Sequence, residues 1–330
     1  MSSTDVDYVL CNLCNANNAQ TLYQLSVLPH QVGKYNLDVW DIVKCQICGL
    51  IYENPRPGLK SLNEFYRFDH PEDLAFVENW FIENEDLNRG RWRQILRAMS
   101  RYRKTGKLLD LGCGAGSFLT EAQKAGYDVS GQEISPFFID YCRNVQNLTI
   151  YTGPIENLEF KDACFDFITA FDLIEHHPDP ASLLKEMRRL VKEGGMVVVG
   201  THNIGNYFAQ MYGQRWRHLY AIGHLTYFTR RTLTQMMEQN GFEVIHFNGA
   251  HTIDGSKFAE MRNYFTKFFR VIVLRAFILG IYRPLTDRLP MLTHWSINLG
   301  NSKLNHSKLL RQAGDQIIMN DNMLILAIPK

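Results

Sequence analysis

The chain predicts an α/β fold, a doubly wound and mostly parallel sheet of seven strands with a small metal-binding module in front of it. Three observations predict this. Strand-like apolar runs alternate with helical segments from about residue 105 onward, a glycine-rich turn separates the first strand of that series from its first helix, and two CxxC pairs stand near the N-terminus. Alternation of this kind builds βαβ units, whose helices cover both faces of a parallel sheet.

A chain of 330 residues suffices for one large α/β domain and an accessory module. It is 45% hydrophobic and carries 35 Lys+Arg against 34 Asp+Glu, so it has no global field to draw in nucleic acid. The opening residues, Met1 to Asp7, lack a basic segment followed by an apolar run, and the expected location is the cytoplasm. Seven cysteines, an odd number without an export signal, argue for metal ligation and buried thiols over a disulfide framework. The most apolar stretch, Phe268 to Tyr282, is broken by Arg270 and Arg275. It falls short of the roughly 20 apolar residues that a spanning helix needs.

Residues 1–60 are short apolar pieces punctuated by Asn, Gly and Pro, and loops and turns are expected to dominate there. Within them, Cys11-Asn-Leu-Cys14 and Cys45-Gln-Ile-Cys48 are separated by residues 15 through 44. Two such pairs supply the four thiolates of a tetrahedral zinc site, and four protein ligands leave no open position, so the zinc is expected to be structural. Asn15 and Gly49, each directly after a pair, are residue types that tolerate the left-handed backbone of a thiolate-binding turn. Four reduced, metal-free cysteines are the alternative. A module this small cannot hold a core alone, so the metal would substitute for buried apolar surface.

Residues 61–104 read as a helical linker and first helices, from Leu62, Phe65 and Tyr66 and then Trp80, Leu87, Trp92, Ile95, Leu96 and Met99 at helical spacing. The domain proper covers 105–330. Its expected strands are Lys107–Leu111, Tyr127–Gln132, Leu148–Tyr151, Phe165–Ala170, Met196–Gly200, Phe242–Phe247 and Met323–Ile328, and its expected helices are 117–125, 136–145, 181–192 and 229–240. A helical insert, 251–316, precedes the last strand and is expected to act as a lid over the acceptor.

The first strand runs into Gly112, Gly114 and Gly116 directly before a helix, where small residues let the backbone approach a ligand at the carboxyl edge of the sheet. Glu133 ends the next strand, 21 residues after Gly112, placed to accept hydrogen bonds from both ribose hydroxyls of an adenosine. The spacing is GxGxG. A dinucleotide fingerprint wants glycine where this chain has Ser117, which disfavours NAD.

With these residues in place, the chain resembles class I S-adenosylmethionine-dependent methyltransferases over roughly 105–330, and the resemblance implies their Rossmann-like fold. It implies that Asp110 and the loop of Gly112, Gly114 and Gly116 hold the methionine part of the cofactor, that Glu133 holds the ribose, and that Ile134 packs on adenine. Ile155 and Glu156 resemble the start of the adenine-edge segment. Phe165-Asp166 resembles the start of the fourth strand, and Phe171 closes that strand beside the cofactor. Phe171 through Pro180 resembles the loop in which Glu175 and His176 stand where the transferable methyl sits. Gly194 through Asn203 resembles the fifth strand and its exit, although the family often has Pro where this chain has His202. Trp216 through Leu233 resembles a subgroup that often carries an N-terminal CxxC…CxxC module and modifies sugars, quinones or other small molecules.

Methyl transfer from a sulfonium is an in-line displacement already activated by the cofactor, so the protein must align the acceptor and take its proton. Histidine suits that task near neutral pH, and His176, His177 and His224 are the candidate bases, with Glu175 beside them. A second reading makes Asp172, Glu175 and His176 ligands of a divalent cation. The leading expectation is a small-molecule acceptor methylated at oxygen. A nucleotide-sugar C-methyltransferase and a catalytically silent S-adenosylmethionine-binding partner subunit are the alternatives. Nucleic acid is not expected as a partner, since residues 1–60 contain only Lys34, Lys44, Arg56 and Lys60 as cations. Within 267–288, five cations face a single acid and are interleaved with apolar residues, a pattern suited either to peripheral membrane contact or to packing in a core. Oligomeric state is left open by the sequence.

Overall fold

The computed structural model describes residues 6–26, 37, 39–66, 85–249 and 322–330. The expected insert 251–316 and its basic apolar stretch 267–288 lie outside the described residues, as does 67–84.

The N-terminal segment is richer in strands than its turn-like composition suggests. It holds β1 (Val6–Asp7), β2 (Ala19–Ser26), β3 (Val39–Cys45), β4 (Ile51–Glu53) and β5 (Arg56–Pro57). β2 pairs antiparallel with β3, and β3 with β4. β2 is mostly solvent-facing, with only Leu25 fully buried, as befits an edge strand. Among the described residues α1 (Leu59–Phe65) and α2 (Glu85–Tyr102) follow, and α2 buries Trp92, Ile95, Leu96 and Met99 along one face.

The α/β part then runs β6 (Lys107–Leu111), α3 (Ser117–Lys124), β7 (Asp128–Glu133), α4 (Pro136–Asn144), β8 (Ile150–Thr152), β9 (Phe165–Phe171), α5 (Pro180–Leu190), β10 (Val191–His202), α6 (Tyr207–Tyr212), β11 (Thr226–Tyr227), α7 (Arg230–Gln239), β12 (Phe242–Gly249) and β13 (Asn322–Pro329). Seven of these strands form one sheet in the order β12-β13-β10-β9-β6-β7-β8, parallel except for β13. The fold class is the expected one. All seven residues of β9 are buried, the pattern of a central strand covered on both faces. Alternate residues feed opposite sides: Leu109, Leu111 and Ile168 pack with α5 and α7, while Leu108 and Phe167 pack with α2 and α3.

Local chemistry sets the helix starts. Asp179 caps α5 by accepting the amides of Ala181 and Ser182, and Pro180 occupies the first turn. α7 begins with a reciprocal cap between Thr229 and Thr232. The chain leaves β6 to one side for β7 and β8 and returns to its other side for β9 and β10, so a switch point lies between β6 and β9. Ligands of open α/β sheets bind outside the carboxyl ends of the strands at such a point.

The two parts share a sheet. β11, from beyond the fifth strand, pairs with β4, so residues on both sides of position 60 complete one four-stranded sheet. Cys11, Cys45, Cys48 and Leu50 belong to the same apolar cluster as Leu183 and Phe228. Among the described residues, no helix is long and apolar enough to cross a membrane.

Candidate active site

At the end of β6 the chain turns through Gly112, Gly114 and Gly116, all with positive φ (60°, 52° and 75°). A side-chain carbon at Gly112 would lie 2.8 Å from Leu173, and one at Gly116 would lie 2.6 Å from Leu148. At Gly114 it would meet nothing within 4 Å, so that backbone is open to a ligand. Glu133, at the end of β7, braces this loop: Oε2 accepts the Gly114 amide at 2.9 Å, and Oε1 accepts the amides of Ile134 (2.7 Å) and Ser135 (3.0 Å). Burial raises the Glu133 carboxyl above its ordinary value, and the three amides oppose that. Gln132, not singled out in the sequence, accepts the Gly112 amide at 3.1 Å and donates to the Gly153 carbonyl at 2.7 Å. Asp110 is buried and accepts the Thr169 hydroxyl at 2.5 Å. Burial pushes its carboxyl up to about 8, with Thr169 opposing and Glu133 adding to the rise.

A second polar cluster stands where β9 and β10 end. Asp172 adopts a left-handed backbone (φ 51°), and Arg91 Nη1 donates to its Oδ2 at 3.1 Å. Glu175 is 2% exposed; neither of its carboxyl oxygens meets hydrogen-bond geometry, and the buried Thr201 hydroxyl beside it favours its charged form. Burial pushes this carboxyl up to about 8, and the neighbouring Asp172 charge adds to it. The backbone carbonyl of Glu175 accepts the amides of Leu225 and Thr226, tying the loop to β11.

His176 Nδ1 lies 2.7 Å from the Gly223 carbonyl, an acceptor, so the ring carries its hydrogen on Nδ1 and keeps a lone pair on Nε2. The Tyr66 hydroxyl donates to the same carbonyl at 2.8 Å. By the same reasoning His224, with Nδ1 2.7 Å from the His218 carbonyl, keeps its lone pair on Nε2. His202 joins them, its ring centroid 4.9 Å from that of His224 and 3.7 Å from that of His218. Burial lowers all three basicities, with His202 driven down to about 3 by burial and then by His218.

The turn that supplies these carbonyls is held from the N-terminal segment. Ile222 is buried with φ 74°, a conformation rare for a β-branched residue. Glu53 of β4 accepts the Ile222 amide at 2.9 Å, and its own amide donates to Leu225. Burial pushes the Glu53 carboxyl up to about 8.

Residues 84–247 match a family described as a methyltransferase domain. Over that segment the chain carries a methyltransferase domain. Over 104 residues it is 38% identical to a ubiquinone biosynthesis O-methyltransferase of Acinetobacter baumannii, covering 29% of this chain and 44% of that one. Over 156 residues it is 32% identical to a ubiquinone biosynthesis O-methyltransferase of Coxiella burnetii, covering 44% of this chain and 66% of that one. The chain therefore spans under half of the first relative's length and about two thirds of the second's. A solved S-adenosylmethionine-dependent methyltransferase from Archaeoglobus fulgidus is 15% identical, with a TM-score of 0.49, and covers 77% of this chain and 99% of that one.

Within the methyltransferase domain the expected residues fall into distinct places. The glycine loop and Glu133 are in contact, as are Glu175, His176 and His224. Ile134 is 39% exposed beside the loop, available to an apolar ligand face. Phe171 instead packs inward between Trp92 and Phe118, with centroids 5.1 and 4.7 Å away. Ile155 is buried, and Glu156 accepts from His177 Nε2 at 3.0 Å, which draws that candidate base to the side of the site. The expected cation ligands Asp172, Glu175 and His176 do not form one group: Glu175 groups with His176 and His224 on one side, and with Asp172 and His202 on the other. His202, His218, Tyr66 and Arg91 were missed as site residues. The one available signal was His202 in place of the family's frequent Pro.

The four N-terminal cysteines lie outside the matched segment and face one another. Sγ of Cys11 and Cys48 are 3.4 Å apart and those of Cys14 and Cys45 3.5 Å apart, close to the roughly 3.8 Å expected of thiolates on one tetrahedral zinc. Asn15 (φ 57°) and Gly49 (φ 80°) take the left-handed turn, and their amides donate to the carbonyls of Cys11 and Cys45. Burial pushes the Cys45 thiol up, but the amides of Cys48 and Ile47 with the Cys14 and Cys48 side chains bring it down to about 7, whereas burial raises the thiols of Cys11 and Cys48, the latter to about 11.

Proposed function

We propose that the protein transfers the methyl group of S-adenosylmethionine to a hydroxyl oxygen of a small-molecule acceptor. One observation carries this reading: the glycine loop and the Glu175–His176 loop leave adjacent parallel strands, β6 and β9, and touch where Leu173 packs against Gly112. A cofactor held by the first loop then presents its sulfonium methyl toward the second. In this reading Gly114 gives close backbone approach, Glu133 binds the ribose, Ile134 covers adenine, and Asp110 with Gly112 and Gly116 shapes the methionine end. The acceptor oxygen attacks the methyl carbon, the carbon–sulfur bond breaks with its electrons going to sulfur, and the hydroxyl proton passes to Nε2 of His176, with His224 beside it. The O-methyltransferase relatives support oxygen as the acceptor atom.

Cys11, Cys14, Cys45 and Cys48 hold one structural zinc in this reading, supported by their sulfur spacing and knuckle turns.

Incubation of the full chain with isotope-labelled S-adenosylmethionine and a metabolite extract, read by mass spectrometry, tests the acceptor. A labelled O-methyl product is expected. A label found on carbon, as in a methylated nucleotide-sugar, would overturn the oxygen assignment while keeping the methyl donor.

A further inference from the structure

Three buried atoms face one another at the ends of β9 and β10: Oδ1 of Asp172, Oε1 of Glu175 and Nδ1 of His202. Each lacks a hydrogen-bond partner. The imidazole nitrogen is 3.8 Å from each carboxyl oxygen. That is too long for a hydrogen bond. It is the spacing of ligands on a common ion, since two ligands each about 2.1 Å from one metal stand roughly 3–4 Å apart. Buried polar atoms are nearly always satisfied, so three such atoms within 4.8 Å of one another call for a shared partner.

We propose that Asp172, Glu175 and His202 form a second metal site, distinct from the four cysteines, for a divalent first-row transition ion. Two carboxyl oxygens and one imidazole make a hard-to-borderline donor set, suited to Mn²⁺, Fe²⁺ or Zn²⁺ and unlike the soft thiolate site. Arg91 takes only Oδ2 of Asp172 and so leaves Oδ1 turned to the centre. His224 packs against His202, their ring centroids 4.9 Å apart, and holds that ring beside Glu175. Three protein ligands leave positions open for an acceptor oxygen, whose proton the ion would make easier to remove. That role rests on the methyl-transfer reading, whereas the binding itself does not.

The test uses the full chain with its cysteine-bound metal in place, and Mn²⁺ as the probe because thiolates hold it poorly. Titration followed by electron paramagnetic resonance should show one Mn²⁺ per chain, with Glu175→Gln and His202→Ala each weakening it by about tenfold or more. Pulsed spectra of wild-type protein should show nitrogen coupling from an imidazole, a readout that needs no variant. Absence of any Mn²⁺ uptake, uptake equal in wild type and both variants, or bound Mn²⁺ without nitrogen coupling would each overturn the site. None of these readouts involves cofactor or acceptor, so a failure here is separate from a failure of the methyl-transfer reading.

Discussion

The carboxylate of Glu133 already accepts three backbone amides, from Gly114, Ile134 and Ser135, out of about four acceptor positions. It can bind a ribose hydroxyl only while also shaping the loop that holds the rest of the cofactor. Glu133→Ala should therefore weaken S-adenosylmethionine binding by at least about 1.5–3 kcal/mol, the range for hydrogen bonds to a charged group. Isothermal calorimetry checks this, and an unchanged affinity would remove Glu133 from the site. His176→Ala should lower the chemical step by roughly 10²–10⁴ with cofactor affinity near wild type, as single-turnover kinetics would show. At this scale the sequence revealed residues whose role is local. Glycines before a helix, an acid at a strand end and paired cysteines all lie within a few positions of what they shape. His202 was marked only by standing where the family often has Pro, and Tyr66 and His218 were not legible, because Tyr66 reaches His176 from 110 residues away and His218 takes its place through contact with His202.

Among the elements, the strands of the central sheet were legible because their apolar runs are buried on both faces, and their ends shifted where polar residues continue a strand. β10 was expected at Met196–Gly200 and extends over Val191–His202. Its Lys192-Glu193-Gly194-Gly195 stretch reads as a turn, and Gly194 does take a left-handed backbone (φ 68°), at the register irregularity between Val191 and Met196 against β9. In the N-terminal sheet β2 was hidden by its exposed, polar face and β4 by being only three residues long. Asp166 at the start of β9 ties three neighbours together: it accepts the Lys107 amide at 2.9 Å, Arg103 at 2.6 Å and Lys192 at 3.0 Å. Burial alone would raise its carboxyl, but these donors outweigh it and hold the folded value below the ordinary one. Its stabilisation is present above the unfolded value, about 4. It is lost as pH falls through the lower folded value. Asp166→Asn should cost about 1.5–3 kcal/mol at neutral pH, with the gap to wild type closing in strongly acid solution; urea melts across pH report it. A deficit that does not narrow as the pH falls below the ordinary carboxyl range would contradict the ionic origin.

The whole molecule joins the cysteine segment to the methyltransferase domain through β4, β11 and the bond from the Ile222 amide to Glu53. Loss of the proposed zinc should loosen that shared sheet. Cys45→Ser should remove zinc found by elemental analysis and lower thermal stability, with turnover falling together with the folded fraction. Purified protein free of zinc yet fully stable would contradict the structural metal. The most direct test of the central claim is the release of S-adenosylhomocysteine when the purified full chain meets S-adenosylmethionine and a metabolite extract. The account predicts release that depends on the extract and is lowered roughly 10²–10⁴ in His176→Ala, while that variant still binds the cofactor. Release at the wild-type rate from His176→Ala would contradict it, and so would folded, cofactor-bound protein that yields none.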